Sequence, residues 1–221
     1  MVIEKTTLKG SSFVGIFSCA TNKNFFVPVN SFKKELNKIE NAENSEIIKC
    51  FLAETSLLGI MAAGKDDKLI LSELVIEKEV NYLNSIGIKT KIIEGHTALG
   101  NFIKINSKNA VLSKKAFNES QLKEIKNFLK VNIVDTTING SDLIGSNLVL
   151  NDNGFAVSPS ITDKEFSNLE KNLCLKGIRT TSNYGDVFIG NSAIANNFNV
   201  FAGLNTTGIE LMRLEESLSG R

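Results

Sequence analysis

The feature that most constrains this chain is a period. Five short stretches, Phe13-Val14-Gly15, Leu57-Leu58-Gly59, Ala98-Leu99-Gly100, Leu143-Ile144-Gly145 and Phe188-Ile189-Gly190, each lead into a glycine. The glycines stand 44, 41, 45 and 45 residues apart. Other features keep the register. Six residues after four of the glycines come Thr21, Asn106, Asn151 and Asn196, and the second copy carries Gly64-Lys65-Asp66-Asp67 in that place. Ten residues on, an apolar run resumes at Phe25, Leu69, Ala110, Phe155 and Val200. About twenty-one residues on stand Leu36, Val80, Leu122, Phe166 and Leu211, each in a helical pattern. Agreement at several offsets in five copies marks a repeat architecture.

Each copy reads as strand, glycine turn, hairpin, helix. Leu148-Val149-Leu150 and Phe155-Ala156-Val157 flank Asn151-Asp152-Asn153-Gly154, which is a hairpin pattern. Thr162-Asp163-Lys164-Glu165 is a capping box, and Phe166, Leu169 and Leu173 then share one helical face. Asn118 with Gln121 opens the third helix in the same way, ahead of Leu122, Ile125 and Leu129. Apolar runs such as Ile47 to Leu52 and Val131 to Val134 lead toward the next glycine. A unit of about 44 residues cannot bury its own apolar face, so neighbouring copies must cover one another. No polar capping repeat stands at either end. Closure into a ring removes both ends and protects the strand edges. The expected fold is α/β: a single domain closed as a ring of five ββαβ-type repeats, at approximately 1–45, 46–88, 89–130, 131–175 and 176–221.

Composition excludes several classes of function. Lys+Arg total 25 and Asp+Glu 24 over 221 residues, without the basic excess of a protein held mainly by phosphate contacts. Lys33, Lys34, Lys123, Lys126 and Lys130 are interleaved with acids and read as solvated helix faces, as do Glu210, Glu215 and Glu216. The apolar runs are too short for a membrane span. Cys19, Cys50 and Cys174 lack metal or redox spacing, so a reducing, cytoplasmic setting is expected, with each thiol a small buried hydrophobe. His96 is the single histidine, and its counterparts in the other copies are Ser11, Thr55, Ser141 and Asp186, so it reads as a turn residue. No ligand set for zinc or another metal is present. Gly59-Ile60-Met61-Ala62-Ala63-Gly64-Lys65-Asp66 approaches a phosphate-binding loop but ends in Asp where Ser or Thr should hold magnesium. Its middle residues read as an apolar strand. Neither a cofactor nor catalysis is expected.

The residues His96-Thr97-Ala98-Leu99-Gly100-Asn101, Leu143-Ile144-Gly145-Ser146-Asn147 and Gly203-Leu204-Asn205-Thr206-Thr207-Gly208-Ile209-Glu210-Leu211 resemble the translation initiation factor six family of archaea and eukaryotes. The resemblance runs from about Gly10 to Leu218, and the short C-terminus resembles the archaeal form. Asn205 stands where the family more usually has Asp. The resemblance implies the pentein fold, a fivefold pseudosymmetric ring. It also implies a ribosome anti-association factor that binds the large ribosomal subunit on its intersubunit face, keeps the small subunit off, and takes part in large-subunit maturation. Penteins also include guanidine-modifying enzymes with a Cys/His pair, which is the alternative reading. It requires Cys19, Cys50 or Cys174 to meet His96 in the central channel.

The residues just after the repeat glycines, Ile16, Ile60, Asn101, Ser146 and Asn191, are expected to form one layer near a rim of the ring and to be the ribosome-binding residues. Asn101 is the sharpest of them, because a polar side chain there is not needed to pack a strand. Ile16 and Ile60 belong partly to the core on the plainer reading. Near-neutral charge points to a partner surface of ribosomal protein with local RNA contact, and the factor is expected to act as a monomer.

Overall fold

Each glycine stretch folds into a single four-residue turn of α-helix: Val14–Phe17, Leu58–Met61, Leu99–Phe102, Ile144–Asn147 and Ile189–Ser192. No side chain caps these turns, and each runs directly into extended backbone. They are too short to persist alone, so packing must hold them. The computed structural model, which describes residues 1–40 and 44–220, shows what packs there. A Cβ on any of the five glycines would overlap a backbone carbonyl of the next one, in the cyclic order Gly15, Gly190, Gly145, Gly100, Gly59 and back to Gly15. Only a residue without a side chain permits that approach. The five turns close a ring.

A hairpin follows each turn. Its inner strands are Cys19–Ala20, Ala62–Lys65, Ile103–Ile105, Leu148–Leu150 and Ala193–Ala195. Each pairs antiparallel with a middle strand: Asn24–Pro28, Lys68–Ser72, Asn109–Leu112, Phe155–Val157 and Asn199–Gly203. The longer helices Lys33–Glu40, Glu77–Ser85, Glu119–Leu129, Asp163–Leu173 and Gly208–Ser219 come next. The chain then returns as an outer strand parallel to the middle one, at Glu46–Cys50, Lys89–Ile93, Asn132–Asp135 and Gly177–Arg179. The fifth sheet is completed by Val2–Thr6, which pairs in parallel with Asn199–Gly203. The N-terminal strand, counted by sequence with the first copy, thus packs with the last. Five three-stranded sheets stand around one axis, with neighbouring inner strands touching in a closed cycle. This is the pentein arrangement.

The apolar residues ten after each glycine, Phe25, Leu69, Ala110, Phe155 and Val200, are fully buried in the middle strands. The cores are five separate wedges between sheets and helices, not one central mass. In the third, Ile93, Leu99, Ile103, Leu112, Ile125 and Leu129 pack together. The middle residues Ile60 to Ala63 are not one strand as their sequence suggested. Ile60 and Met61 end a helical turn, and the strand begins at Ala62, because the glycine ring fixes the backbone of that turn. Residues 41–43 of the first repeat and residue 221 of the fifth lie outside the described residues.

The far end of the axis is polar. The Nδ2 groups of Asn106, Asn151 and Asn196 donate to the carbonyls of Asn151, Asn196 and Thr21, and the Thr21 hydroxyl donates to the Asp66 carbonyl. Each reaches into another repeat. Just beyond, Asp152 accepts from the Ser107 N–H and from the side-chain amides of Asn22 and Asn197, bridging the mouth. Burial opposes ionisation of Asp152, but these donors outweigh it and hold its carboxyl below the usual range.

Candidate functional site

The five positions after the glycines take the third place of each short turn, so they form one layer at the glycine end of the ring. Their surroundings differ. Ile60 packs partly against the core formed by Leu58, Leu71 and Leu83. Ile16, Asn101 and Asn191 are half-buried. Ser146 is only 4% exposed, and its hydroxyl donates to Asn101 Oδ1 at 3.2 Å. Ser146 is therefore taken up within the ring, where it orients the Asn101 carboxamide across a repeat boundary. Four residues of the layer remain partly open.

The same end carries exposed residues that the sequence reading did not select. Phe13 and Phe188, two positions before their glycines, are each 43% exposed, with Val187 beside them and Tyr184 83% exposed. The first and fifth repeats are adjacent, joined by Asn183 Nδ2 donating to the Ser12 carbonyl at 2.8 Å. Phe13 and Phe188 thus sit on neighbouring units of one rim. Singly exposed apolar residues are ordinary, and here Phe13, Tyr184, Val187 and Phe188 belong to one pair of adjacent repeats. The signal in the sequence was the pair of aromatics where the other repeats place Leu57, Ala98 and Leu143.

A repeated carboxylate builds the loops behind this rim. Twenty residues after four of the glycines stand Glu35, Glu79, Glu165 and Glu210, each near the start of a long helix. Glu210 accepts from the Thr207 N–H at 2.8 Å, closing a capping box, and also from the Thr181 hydroxyl at 2.7 Å and the Gly185 N–H at 2.8 Å. Glu165 does the same for Thr162, Thr137 and Gly140. Asn139, Gly140, Asn183, Tyr184 and Gly185 have positive φ, so these carboxylates hold loops that the backbone alone disfavours. Burial resists the charge on Glu165 and Glu210, but the donors prevail and bring both carboxyls down to about 2.

The Cys/His alternative is not assembled. His96 is buried in the loop before the third turn, stacked on Phe117 with centroids 4.2 Å apart and edge-on to Phe102 at 5.6 Å. Burial holds its pKa below the ordinary imidazole value against opposing effects of Gln121 and Glu73. It is absent from the lining of the central cavity, where Cys19 stands. Burial pushes the Cys19 thiol up to about 11, against the nearby Lys104, and the Cys50 thiol up to about 12, so neither is a ready nucleophile at neutral pH. Cys174 departs from expectation: it is exposed, because it caps its helix in the left-handed conformation at φ 55°. Among the described residues, no three His, Cys, Asp or Glu side chains are placed to hold a metal ion. Among them, too, no helix is long and apolar enough to cross a membrane.

Comparison with known proteins gives one consistent result. Translation initiation factor 6 of Pyrobaculum aerophilum is 30% identical over 210 residues, covering 95% of each chain. That of Picrophilus torridus is 30% identical over 222 residues, covering 99% of this chain and all of the relative. That of Pyrococcus abyssi is 29% identical over 225 residues, covering 99% of each. Among solved structures, a dimethylarginine dimethylaminohydrolase adduct with S-methyl-L-thiocitrulline superposes with a TM-score of 0.46 at 11% identity, covering 94% of this chain and 74% of that one. The model of the eIF-6 family matches residues 3–217. With nearly its whole length matched, and with relatives named as translation initiation factors, this chain belongs to the eIF-6 family.

Proposed function

We propose that this chain is a non-catalytic, cytoplasmic ribosome anti-association factor, which binds the large ribosomal subunit through its glycine rim and keeps the small subunit off by occupying space. The observation that supports this reading most is the rim itself. A rigid backbone ring presents Asn101 and Asn191 together with exposed Phe13 and Phe188, while Cys19, Cys50 and His96 are buried in packing and Cys174 caps an exposed helix end. Aromatic anchors in a partly polar surround are the composition of a protein–protein hot spot. A steric blocker needs shape and rigidity rather than chemistry, and a closed ring of five mutually packed units supplies both. Ile16 and Ile60 contribute apolar contact beside Asn101, and the protein acts as a monomer. A role in large-subunit maturation follows from the same binding, since a factor seated on the joining face also guards immature particles.

Sedimentation of the purified protein with separated subunits tests the reading. It should travel with large subunits and not with small ones, without nucleotide. Travel with neither, or with both equally, contradicts it.

A further inference from the structure

The centre of the ring holds a charge that docking on a ribosome does not use. Four residues after each glycine the inner strands carry Cys19, Ala63, Val149 and Ile194 in four repeats, and Lys104 in the third. Successive side chains of a strand point to opposite faces. Ile103 and Ile105 pack into the apolar wedge under the third helix, which turns Lys104 the other way, onto the axis. There it lines a cavity of about 40 Å³ with Cys19, Ala62, Val149 and the five glycines. That is room for a few water-sized occupants. The backbone-on-backbone glycine layer narrows one end, and the Asp152 bridge crosses the other.

Lys104 has no hydrogen bond and no salt bridge among the described residues, and no carboxylate lines its cavity. Asp152 is engaged with its own donors at the far mouth. The Cys19 thiol stays protonated, so it is no counter-charge. Burial pushes the Lys104 pKa below its usual value, and an anion beside the ammonium would oppose that shift. Lys104 is half-buried, so its ammonium faces the cavity rather than bulk water, and with no carboxylate in the lining a mobile ion is the counter-charge within reach. The remaining lining offers donors that suit an anion: Asn101 and Asn191 amides and the Cys19 S–H.

We infer that the central cavity is a binding site for a monovalent, halide-sized anion held against the Lys104 ammonium. The ion is structural. It neutralises the charge that lines the central cavity and locks the third inner strand to its neighbours.

Crystals of protein purified throughout in sodium bromide, compared with those of the near-isosteric Lys104→Met, test this. A bromide anomalous peak within hydrogen-bonding reach of Lys104 Nζ, missing in Lys104→Met, supports the inference. Water alone at that place, or the same peak in both proteins, overturns it. In solution, the melting temperature of the wild type should rise by several degrees in sodium bromide relative to sodium methanesulfonate at equal ionic strength, since the larger anion cannot enter. Lys104→Met should show no such difference. Equal responses of the two proteins overturn the inference even if crystals are not obtained.

Discussion

Replacing glycines one at a time by alanine measures the closure of the ring directly, because three glycines in three settings give opposite signs. An alanine Cβ at Gly100 would overlap the carbonyl of Gly59 and come to 3.0 Å of the Ala62 carbonyl. Both obstacles are backbone, so no side chain can swing away. Overpacking in a tight core costs about 1–3 kcal/mol when side chains can adjust, so a clash with fixed backbone belongs at or above the upper end, about 3 kcal/mol. At Gly140 nothing lies within 4 Å, but φ is +75°, so alanine there pays only the left-handed penalty of about 1–2 kcal/mol. At Gly208, the first residue of the last helix, space is open and φ is ordinary, so alanine should stabilise by about 0.5–1 kcal/mol. For a chain this long, 1 kcal/mol shifts Tm by about 2–4 °C. Thermal and denaturant unfolding should therefore rank Gly208→Ala above wild type, Gly140→Ala slightly below it, and Gly100→Ala lower by about 6–12 °C. A Gly100→Ala protein as stable as wild type would refute the idea that the five turns touch backbone to backbone.

Other outcomes follow from the loops and the rim. Glu210→Gln should lose about 1–2 kcal/mol at pH 7, allowing for partial solvent screening of the carboxylate. Because the folded pKa of Glu210 is depressed to about 2, its contribution is whole above the unfolded value near 4.5 and fades as pH falls toward 2, so wild-type and variant stabilities should converge there in acid titrations followed by circular dichroism. Asn101→Ala removes one 3.2 Å contact with Ser146 and should cost under about 1 kcal/mol of stability while weakening large-subunit binding, with Asn191→Ala weaker in effect, both read by titration of labelled protein. Phe13→Ser and Phe188→Ser should weaken the same binding more than Asn191→Ala. Cys174→Ser should leave Tm unchanged, Cys50→Ala should lower stability by about 1–3 kcal/mol, and neither should alter binding of the folded protein. A folded cysteine variant without binding would restore the enzymatic reading.

The ring was legible because its repeat is written in residue types that the backbone demands. Gly15, Gly59, Gly100, Gly145 and Gly190 tolerate no Cβ, and Phe25, Leu69, Ala110, Phe155 and Val200 admit no polar replacement at full burial. The capping boxes at Asn118 and Thr162 were readable for the same reason, since a cap is a local pattern. Pairing of Val2–Thr6 with Asn199–Gly203 was not, because it joins segments nearly 200 residues apart with no local mark. The clamping carboxylates recur at a constant offset from the glycines and could have been found. Glu165 reads only as half of a capping box and Glu210 as a solvated helix acid, although Glu210 is buried, because the partners that complete the clamp lie on another segment. The five candidate positions hold equivalent places in their repeats, but depth within a layer depends on neighbours across a repeat boundary. That is why Ser146 lies buried against Asn101 while Phe13 and Phe188 stand open. Cys174 went astray on one backbone angle.

The central claim is that this protein blocks subunit joining by seating its glycine rim on the large subunit. Light scattering of subunit association, with large subunits preincubated with saturating protein and no nucleotide, addresses it most directly. The account predicts that the yield of joined ribosomes falls to near zero with wild type and recovers with a folded Phe13→Ser, Phe188→Ser double variant. Joining at the same yield with and without wild-type protein would contradict it.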